Sequence, residues 1–176
     1  FEIHPSYGAP MMLQLIKSRR SIRNFTGQPV EDEMIEQIIE AGTWAPSGLN
    51  NQPWKVAIVR DAATRKAIAP LTRYSSMIDG APVLLALFMD TAAGYDRTKD
   101  VQAMGAFIQN LLLAVHALGL GGVWLGEILK NKEKVAQLIK APDTFELMAV
   151  IALGHPAERG GKGSRKGIKD VVFYRG

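Results

Sequence analysis

The feature that most constrains the fold is a helical segment of residues 100–118 with apolar side chains on nearly every face. The apolar positions are Met104, Phe107, Ile108, Leu111, Leu112, Val115 and Leu118. A helix that is hydrophobic all round must be covered on all sides. A chain of 176 residues has little material to provide that cover alone. The segment therefore predicts a central helix that is covered in part by a second subunit.

The rest of the chain mixes helix and strand patterns and has no repeat or internal boundary. Helices are predicted over residues 11–18, 31–42, 62–69, 73–79 and 130–141. Strands are predicted over residues 54–60, 81–89, 145–154 and 170–174, with a short one in the glycine-rich segment 119–127. Residues 81–89 are apolar on both faces, which places them centrally in a sheet. This mixture predicts an α/β or α+β fold with a single sheet.

The net charge of +4 is concentrated at the C-terminus. Residues 159–176 hold six basic residues and one acidic residue, while the rest of the chain holds 15 basic and 16 acidic residues. A nearly neutral body argues against a nucleic-acid partner. The local basic cluster is either a solvated terminus or a site for one anion.

Several kinds of chemistry lack their residues. There is no cysteine for a disulfide or a thiolate, and the three histidines are scattered without metal-ligand spacing. No serine lies in a nucleophile elbow, and Trp124 replaces the third glycine that a dinucleotide fingerprint would need in "GLGGVWLG". No apolar run is long enough for a membrane span and no signal peptide is visible, so we expect a cytoplasmic protein without a membrane partner. If the protein is an enzyme, a bound cofactor must supply the chemistry.

A first candidate binding feature is "SRRSIRNF", residues 18–25. Arg19, Arg20 and Arg23 surround Ser21 where a helix ends, and arginine forks with a hydroxyl match phosphate oxygens. The alternative is an ordinary charged helix end. A second basic cluster, residues 162–166, could close on the same phosphate.

A second candidate is the uncharged loop "WAPSGLNNQPW", residues 44–54. Its amides Asn50, Asn51 and Gln52 offer donors and acceptors that suit the polar edge of a heterocycle or a polyol. Ordinary turn chemistry explains the same residues equally well.

Four motifs in order, "RRSIRNF", "APSGLNNQPW", "GLGGVWLGE" and "GHPAE" with "SRKGIKDVVFY", resemble those of the FMN-dependent nitroreductase family. The resemblance runs from about Leu13 to Tyr174. It implies an α+β nitroreductase-like fold, with a mostly antiparallel central sheet flanked by helices, in an intertwined homodimer. Residues 11–176 would then form a single FMN-binding domain whose C-terminal segment reaches onto the partner. Residues 1–10 would be an N-terminal extension, native or artificial.

The resemblance also implies roles for particular residues. The phosphate of FMN would be bound by Arg19, Arg20, Ser21, Arg165 and Lys166, of which Lys166 is the weaker match to the family. Arg23 would lie near N1 and O2 of the flavin ring, and a backbone N–H at Leu125 and Gly126 would approach N5. The second subunit would contribute Pro46, Ser47 and Asn50. No catalytic side chain and no metal are expected, and Gln52, Pro53 and Trp54 are interpreted as structural.

The activity implied is reduction of nitroaromatics, quinones or similar small acceptors, with NADH or NADPH as the donor and alternating hydride transfer through N5. Dehalogenation, flavin breakdown and FMN binding without turnover are the alternatives. Two departures from the family concern the substrate and the phosphate. Only residues 70–80 and 91–99 could cover a substrate, and Gly163 stands where many members carry a basic residue.

Overall fold

The computed structural model of the chain describes residues 9–176. The α-helices are α1 (Ala9–Ser18), α2 (Asp32–Thr43), α3 (Ala62–Ile68), α4 (Ser75–Gly80), α5 (Arg97–Ala117), α6 (Lys132–Leu138) and α7 (Ile168–Val171). The strands are β1 (Trp54–Val59), β2 (Val83–Asp90), β3 (Gly121–Leu125) and β4 (Phe145–Gly154). Short 3₁₀ turns occupy Gly48–Asn50, Ala69–Leu71 and Glu127–Asn131.

The four strands form one antiparallel sheet in the order β1-β2-β4-β3. The central strand β2 is buried from Val83 to Met89, as its two-sided apolar pattern predicts. One face of the sheet shares a core with α2 and α5, where Trp54 stacks on Phe107 at 5.1 Å between ring centroids. The other face packs against α3, α4 and α6. The predicted α+β fold with an antiparallel central sheet is confirmed.

Helix α5 is only partly covered within this chain. Its first turn is capped by Asp96, whose carboxylate accepts from the Lys99 N–H at 3.0 Å. One side of the helix is buried against α2 and the sheet. The opposite stripe is exposed or half-buried, and its members recur at helical spacing at Gln102, Ala106, Gln109, Leu113 and His116. This stripe agrees with the expectation that one subunit alone does not cover the helix.

The two ends of the chain were predicted to form a strand and an extension. The predicted strand 170–174 is wrong, because Ile168–Val171 form the helix α7, which begins where the Asp170 carboxylate accepts from the Gly167 N–H at 3.0 Å. The segment 170–174 has a strand-like composition, but it pairs with no strand among residues 9–176, and a strand needs such a neighbour. The proposed extension, residues 1–10, falls mostly outside the described residues, and its last two residues begin α1.

Candidate functional site

The end of α1 is joined to the C-terminal segment by the Arg20 side chain. Its Nε donates to Gly161 O at 3.0 Å, and its Nη1 donates to Lys17 O at 2.8 Å and Arg19 O at 2.9 Å. A Cβ added at Gly160 would lie 2.3 Å from Arg20 Cβ, and one added at Gly163 would lie 2.9 Å from Arg20 Cζ. Arg20 therefore occupies the space beside both glycines and holds the segment 160–163 against α1. We call this arrangement the Arg20 clasp.

The clasp brings Arg165 close to Arg19. Burial lowers the pKa of the Arg19 guanidinium, and the positive charges of Arg165 and Arg20 lower it further. Among residues 9–176, none of these three arginines is ion-paired with a carboxylate. Like charges held together without a counterion repel one another, and an anion would relieve that repulsion. The chemistry of this donor set fits a phosphate.

The segment that follows is fixed to the edge of the sheet. The Ile22 N–H donates to Gly122 O at 3.1 Å, and Thr26 N–H donates to His155 O at 3.0 Å. Gly121 has no room for a Cβ, which would lie 2.7 Å from Ile22 Cβ. Residues 19–23 therefore run beside β3. Ser21 is half-buried, and Arg23 is exposed with Nη1 3.4 Å from Ser21 O.

Gly126 lies at the far end of the same strand. The last ladder pair is Leu125 with Val150, so the exposed Gly126 backbone lies beyond the sheet. Leu125 is only 2% exposed, so Gly126 is the accessible residue at this end of the strand. The distance along β3 from Gly122 to Gly126 is about 13 Å at the usual rise of a strand. The cationic group and this turn therefore lie at two places along one strand.

The turn at Gly126 is tied to the segment before α4. The Glu127 carboxylate accepts from Thr72 Oγ1 at 2.6 Å and from the Arg73 N–H at 3.2 Å, and it also pairs with Lys130. Asn131 Nδ2 donates to Leu71 O at 2.7 Å. Sequence reasoning missed Glu127, because a carboxylate gives no local signal of a partner that lies far away along the chain.

The amide loop has an unusual backbone. Leu49, Asn50 and Gln52 have φ of 54°, 55° and 46°, in the left-handed region that costs a non-glycine residue roughly 1–3 kcal/mol. The Ser47 hydroxyl accepts from the Gln52 N–H at 3.1 Å. Leu49 is 84% exposed, and Pro46 and Asn50 are also exposed. Pro53 and Trp54 are buried, which agrees with their structural interpretation.

This strained backbone is held by a buried carboxylate on α5. Asn51 Nδ2 donates to Asp100 Oδ1 at 2.7 Å, and the same carboxylate accepts from the Tyr95 and Asp96 N–H groups at 3.0 and 3.2 Å. Asp100 is only 2% exposed. A Cβ added at Gly48 would lie 1.9 Å from the Tyr95 hydroxyl, so a larger residue there would displace the Tyr95 ring. Sequence reasoning did not find Asp100 or Tyr95. The signal that could have found Asp100 is an acidic residue at the start of an apolar helix.

The loop and the cationic group lie at opposite ends of α5. Asn51 contacts Asp100 in the first turn of the helix, whereas the Ser18 hydroxyl lies 2.8 Å from His116 Nε2 in the last turn. Burial, followed by the charges of Arg19 and Arg20, lowers the pKa of His116 and favours its neutral form. The rise of an α-helix puts about 24 Å between these two positions. Within one chain, Pro46, Ser47 and Asn50 are therefore not brought to Arg19, Arg20, Ser21 and Arg165.

A cavity of about 570 Å³ adjoins the clasp, between the end of α5 and the C-terminal segment. It is lined by Arg20, His116, Arg159 and Lys162 among others. Lys166, which follows Arg165 in the chain, is exposed. Among residues 9–176, no group of acidic or histidine side chains could hold a metal ion, and no helix has the length and apolar composition to cross a membrane.

Comparison with known proteins gives consistent matches. The model of the Nitroreductase family matches residues 16–74 and 71–155. A protein of Methanothermobacter thermautotrophicus, named as an NADH dehydrogenase or NAD(P)H nitroreductase, is 34% identical over 152 residues, covering 85% of this chain and 80% of its own.

Solved structures agree with this match. A Desulfovibrio desulfuricans protein that carries the nitroreductase name, solved in complex with FMN, has a TM-score of 0.89 and 43% identity, covering 93% of this chain and 96% of its own. The NADPH:FMN oxidoreductase of Vibrio harveyi, complexed with NAD⁺, has a TM-score of 0.84 and 26% identity over 93% of this chain and 76% of its own.

Proposed function

This chain belongs to the nitroreductase family, and from that premise we propose that it is an FMN-dependent NAD(P)H oxidoreductase. FMN is its cofactor, and NADH or NADPH is its electron donor. Its acceptors are small molecules such as nitroaromatics or quinones. The relatives support the class of enzyme, and the acceptor and the order of steps are our proposal.

The observation that carries this proposal is the group of arginines at the end of α1. Arg19 and Arg165, with Ser21 beside them, would bind the phosphate of FMN, and Arg20 would hold the segment that carries Arg165. The exposed Arg23 would stabilise negative charge at one edge of the flavin ring. The backbone at Gly126 is exposed beyond β3 and available to the ring, as the resemblance to the family implies.

When bound, FMN would supply the redox chemistry, which is alternating hydride transfer from a reduced nicotinamide to the acceptor. The protein's own residues would bind the cofactor and orient it and the substrates. No acid–base side chain is required of it, which agrees with the lack of a catalytic triad or a metal motif in the sequence.

We also propose that the protein works as a homodimer. One subunit separates its amide loop from its arginine group by the length of α5, so one chain alone does not complete the site. A twofold partner would bring its own Pro46, Ser47 and Asn50 to the arginines. A partner subunit would also cover large apolar side chains that are exposed in one chain. Examples are Trp44, Leu49, Phe173 and Tyr174, which are 82%, 84%, 102% and 76% exposed.

The test is an absorption spectrum of the FMN-loaded protein under argon, before and after NADH and then NADPH. We expect the flavin bands to bleach with at least one donor. Bands that persist with both would contradict the proposed activity. In parallel, R19Q and R165Q should each weaken FMN binding, whereas K66Q, which removes an exposed charge on α3, should not. Equal FMN affinity in all four proteins would remove the arginine group as the phosphate site.

A further inference from the structure

We propose that Arg73, held beside the Gly126 turn by Glu127, binds an anionic group of the incoming substrate. This inference rests on the proposed function, and it assigns a chemical preference to the same site. It makes Arg73 a specificity-determining residue and Glu127 a positioning residue. The juxtaposition that carries it joins residues 71–73 to residues 126–131, two segments far apart in the chain.

The first step is the attachment of Arg73 to the turn. Glu127 immediately follows Gly126, and its carboxylate accepts from Thr72 Oγ1 at 2.6 Å and from the Arg73 backbone N–H at 3.2 Å. Asn131 fixes the preceding residue through Leu71 O at 2.7 Å. Thr72 is only 5% exposed, so this attachment is partly shielded from water. The Arg73 backbone therefore lies at the edge of the turn that we assign to the flavin ring.

The second step is that Glu127 keeps its charge. Its hydrogen bonds with Lys130 and with Thr72 lower the pKa of the Glu127 carboxyl to about 2. The carboxylate is therefore ionised throughout the working pH range, and its contacts with residues 72 and 73 persist there.

The third step concerns the Arg73 side chain. Arg73 is exposed, and its guanidinium carbon lies 5.0 Å from the centroid of the Tyr74 ring. Within the part of the chain that the structure describes, no carboxylate pairs with this guanidinium. Stacking on an aromatic ring orients an arginine without neutralising it. Arg73 is thus a pre-oriented cation whose backbone is fixed beside the Gly126 turn.

The chemistry of an arginine fork selects the ligand. A guanidinium binds carboxylate and phosphate oxygens through two parallel hydrogen bonds. Both sources are available to this enzyme, since the donor nucleotide carries phosphate and an aromatic acceptor can carry carboxylate. We therefore expect Arg73 to prefer an anionic ligand. The experiment distinguishes a phosphate on the donor from a carboxylate on the acceptor.

The experiment measures equilibrium binding to the oxidised, FMN-loaded protein by calorimetry. The probes are 4-nitrobenzoate and uncharged nitrobenzene, and the variants are R73Q, R73K, E127Q and the matched control K66Q. We expect R73Q to weaken binding of 4-nitrobenzoate relative to nitrobenzene by about three- to tenfold. R73K should recover part of that preference, and K66Q should keep all of it. An unchanged preference in R73Q would overturn the proposal for acceptors.

The E127Q variant distinguishes two roles of Glu127, which are to hold Arg73 in place and to act on bound anions through its negative charge. Removing a negative charge near Arg73 should strengthen anion binding if Glu127 acts only through its field. If Glu127 holds Arg73 in place, the same change should weaken the preference for 4-nitrobenzoate over nitrobenzene. Stronger anion binding in E127Q would remove the positioning role.

The donor is tested with reduced nicotinamide mononucleotide, which carries one phosphate, against N-benzyl-dihydronicotinamide, which carries none. A ratio of KM values that rises in R73Q identifies the nucleotide phosphate as a ligand of Arg73, and an unchanged ratio excludes it. Calorimetry needs no turnover. A wild-type protein that binds 4-nitrobenzoate through Arg73 but never bleaches with NADH or NADPH would therefore contradict the proposed activity and still support the anion site.

Discussion

At the scale of single residues, Arg20 illustrates how two identical side chains in one motif take different tasks. The positive charge of Arg165 lowers the pKa of Arg19, whereas Arg20 uses its Nε and Nη1 donors on three backbone carbonyls. The motif "SRRSIRNF" predicts a phosphate cradle but does not say which arginine points at the anion. That choice depends on Gly160 and Gly163, whose missing side chains leave room for Arg20.

The Arg20 clasp gives a prediction. R20K keeps the charge but lacks the planar fork, so it should release the segment 160–163 and weaken FMN binding by roughly 1–3 kcal/mol. Amide hydrogen exchange of residues 160–165 in FMN-free R20K should be faster than in the wild type. If exchange is unchanged while FMN affinity falls, Arg20 contacts the phosphate directly and the clasp is wrong.

At the scale of elements, Glu146 joins the first turns of α5 and α6 to the start of β4. It accepts from Arg97 Nη1 at 2.7 Å and from Lys132 Nζ at 2.9 Å. These two partners lower the pKa of the Glu146 carboxyl from its usual value to about 2. A depressed carboxyl pKa stabilises the fold above the unfolded-state value, and that stability is lost as the pH falls toward 2.

E146Q should therefore lower the free energy of unfolding at pH 7 by on the order of 1 kcal/mol, a modest cost because Arg97 is exposed and Lys132 is only half-buried. The difference between wild type and E146Q should shrink as the pH is lowered from about 4.5 toward 2. Chemical denaturation at a series of pH values measures it. A difference that stays constant over that range would mean that the carboxylate charge is not what stabilises the wild type.

Elements with strong periodicity were predictable, and contacts between distant segments were not. The two-sided apolar run of β2 predicts its burial directly, and the apolar pattern of α5 predicts a helix that this chain covers only in part. The segment "DVVFY" misleads, because strand propensity has no effect without a neighbouring strand. Asp100 fixes the amide loop and Glu127 fixes the Gly126 turn, yet each does so through partners that only the folded chain brings near.

At the scale of the whole molecule, the half-covered stripe of α5 supports the proposed dimer. L113K would place a charge in that stripe and should convert the 19.2 kDa chain from dimer to monomer. FMN binding should fall with it, because the partner's loop would be lost. Sedimentation velocity and FMN titration at matched concentrations test both effects.

L138K is the matched control, since Leu138 is 42% exposed on α6, away from the stripe. It should leave the oligomeric state and FMN affinity as they are. A monomeric L113K that binds FMN as tightly as the wild type would mean that one chain completes the site and that the amide loop has another use.

The separation of the amide loop from the arginine group by the length of α5 has a genetic consequence. Each site is proposed to take its arginines from one chain and its amide loop from the other. A dimer of one subunit altered at Arg19 and one altered at Asn50 would therefore keep one site in which both residues are unchanged. Unfolding and refolding an equal mixture of R19Q and a loop variant such as N50A should restore one intact site in each mixed pair, about one quarter of the wild-type number. Two alleles that each fail alone would then complement one another in the same cell.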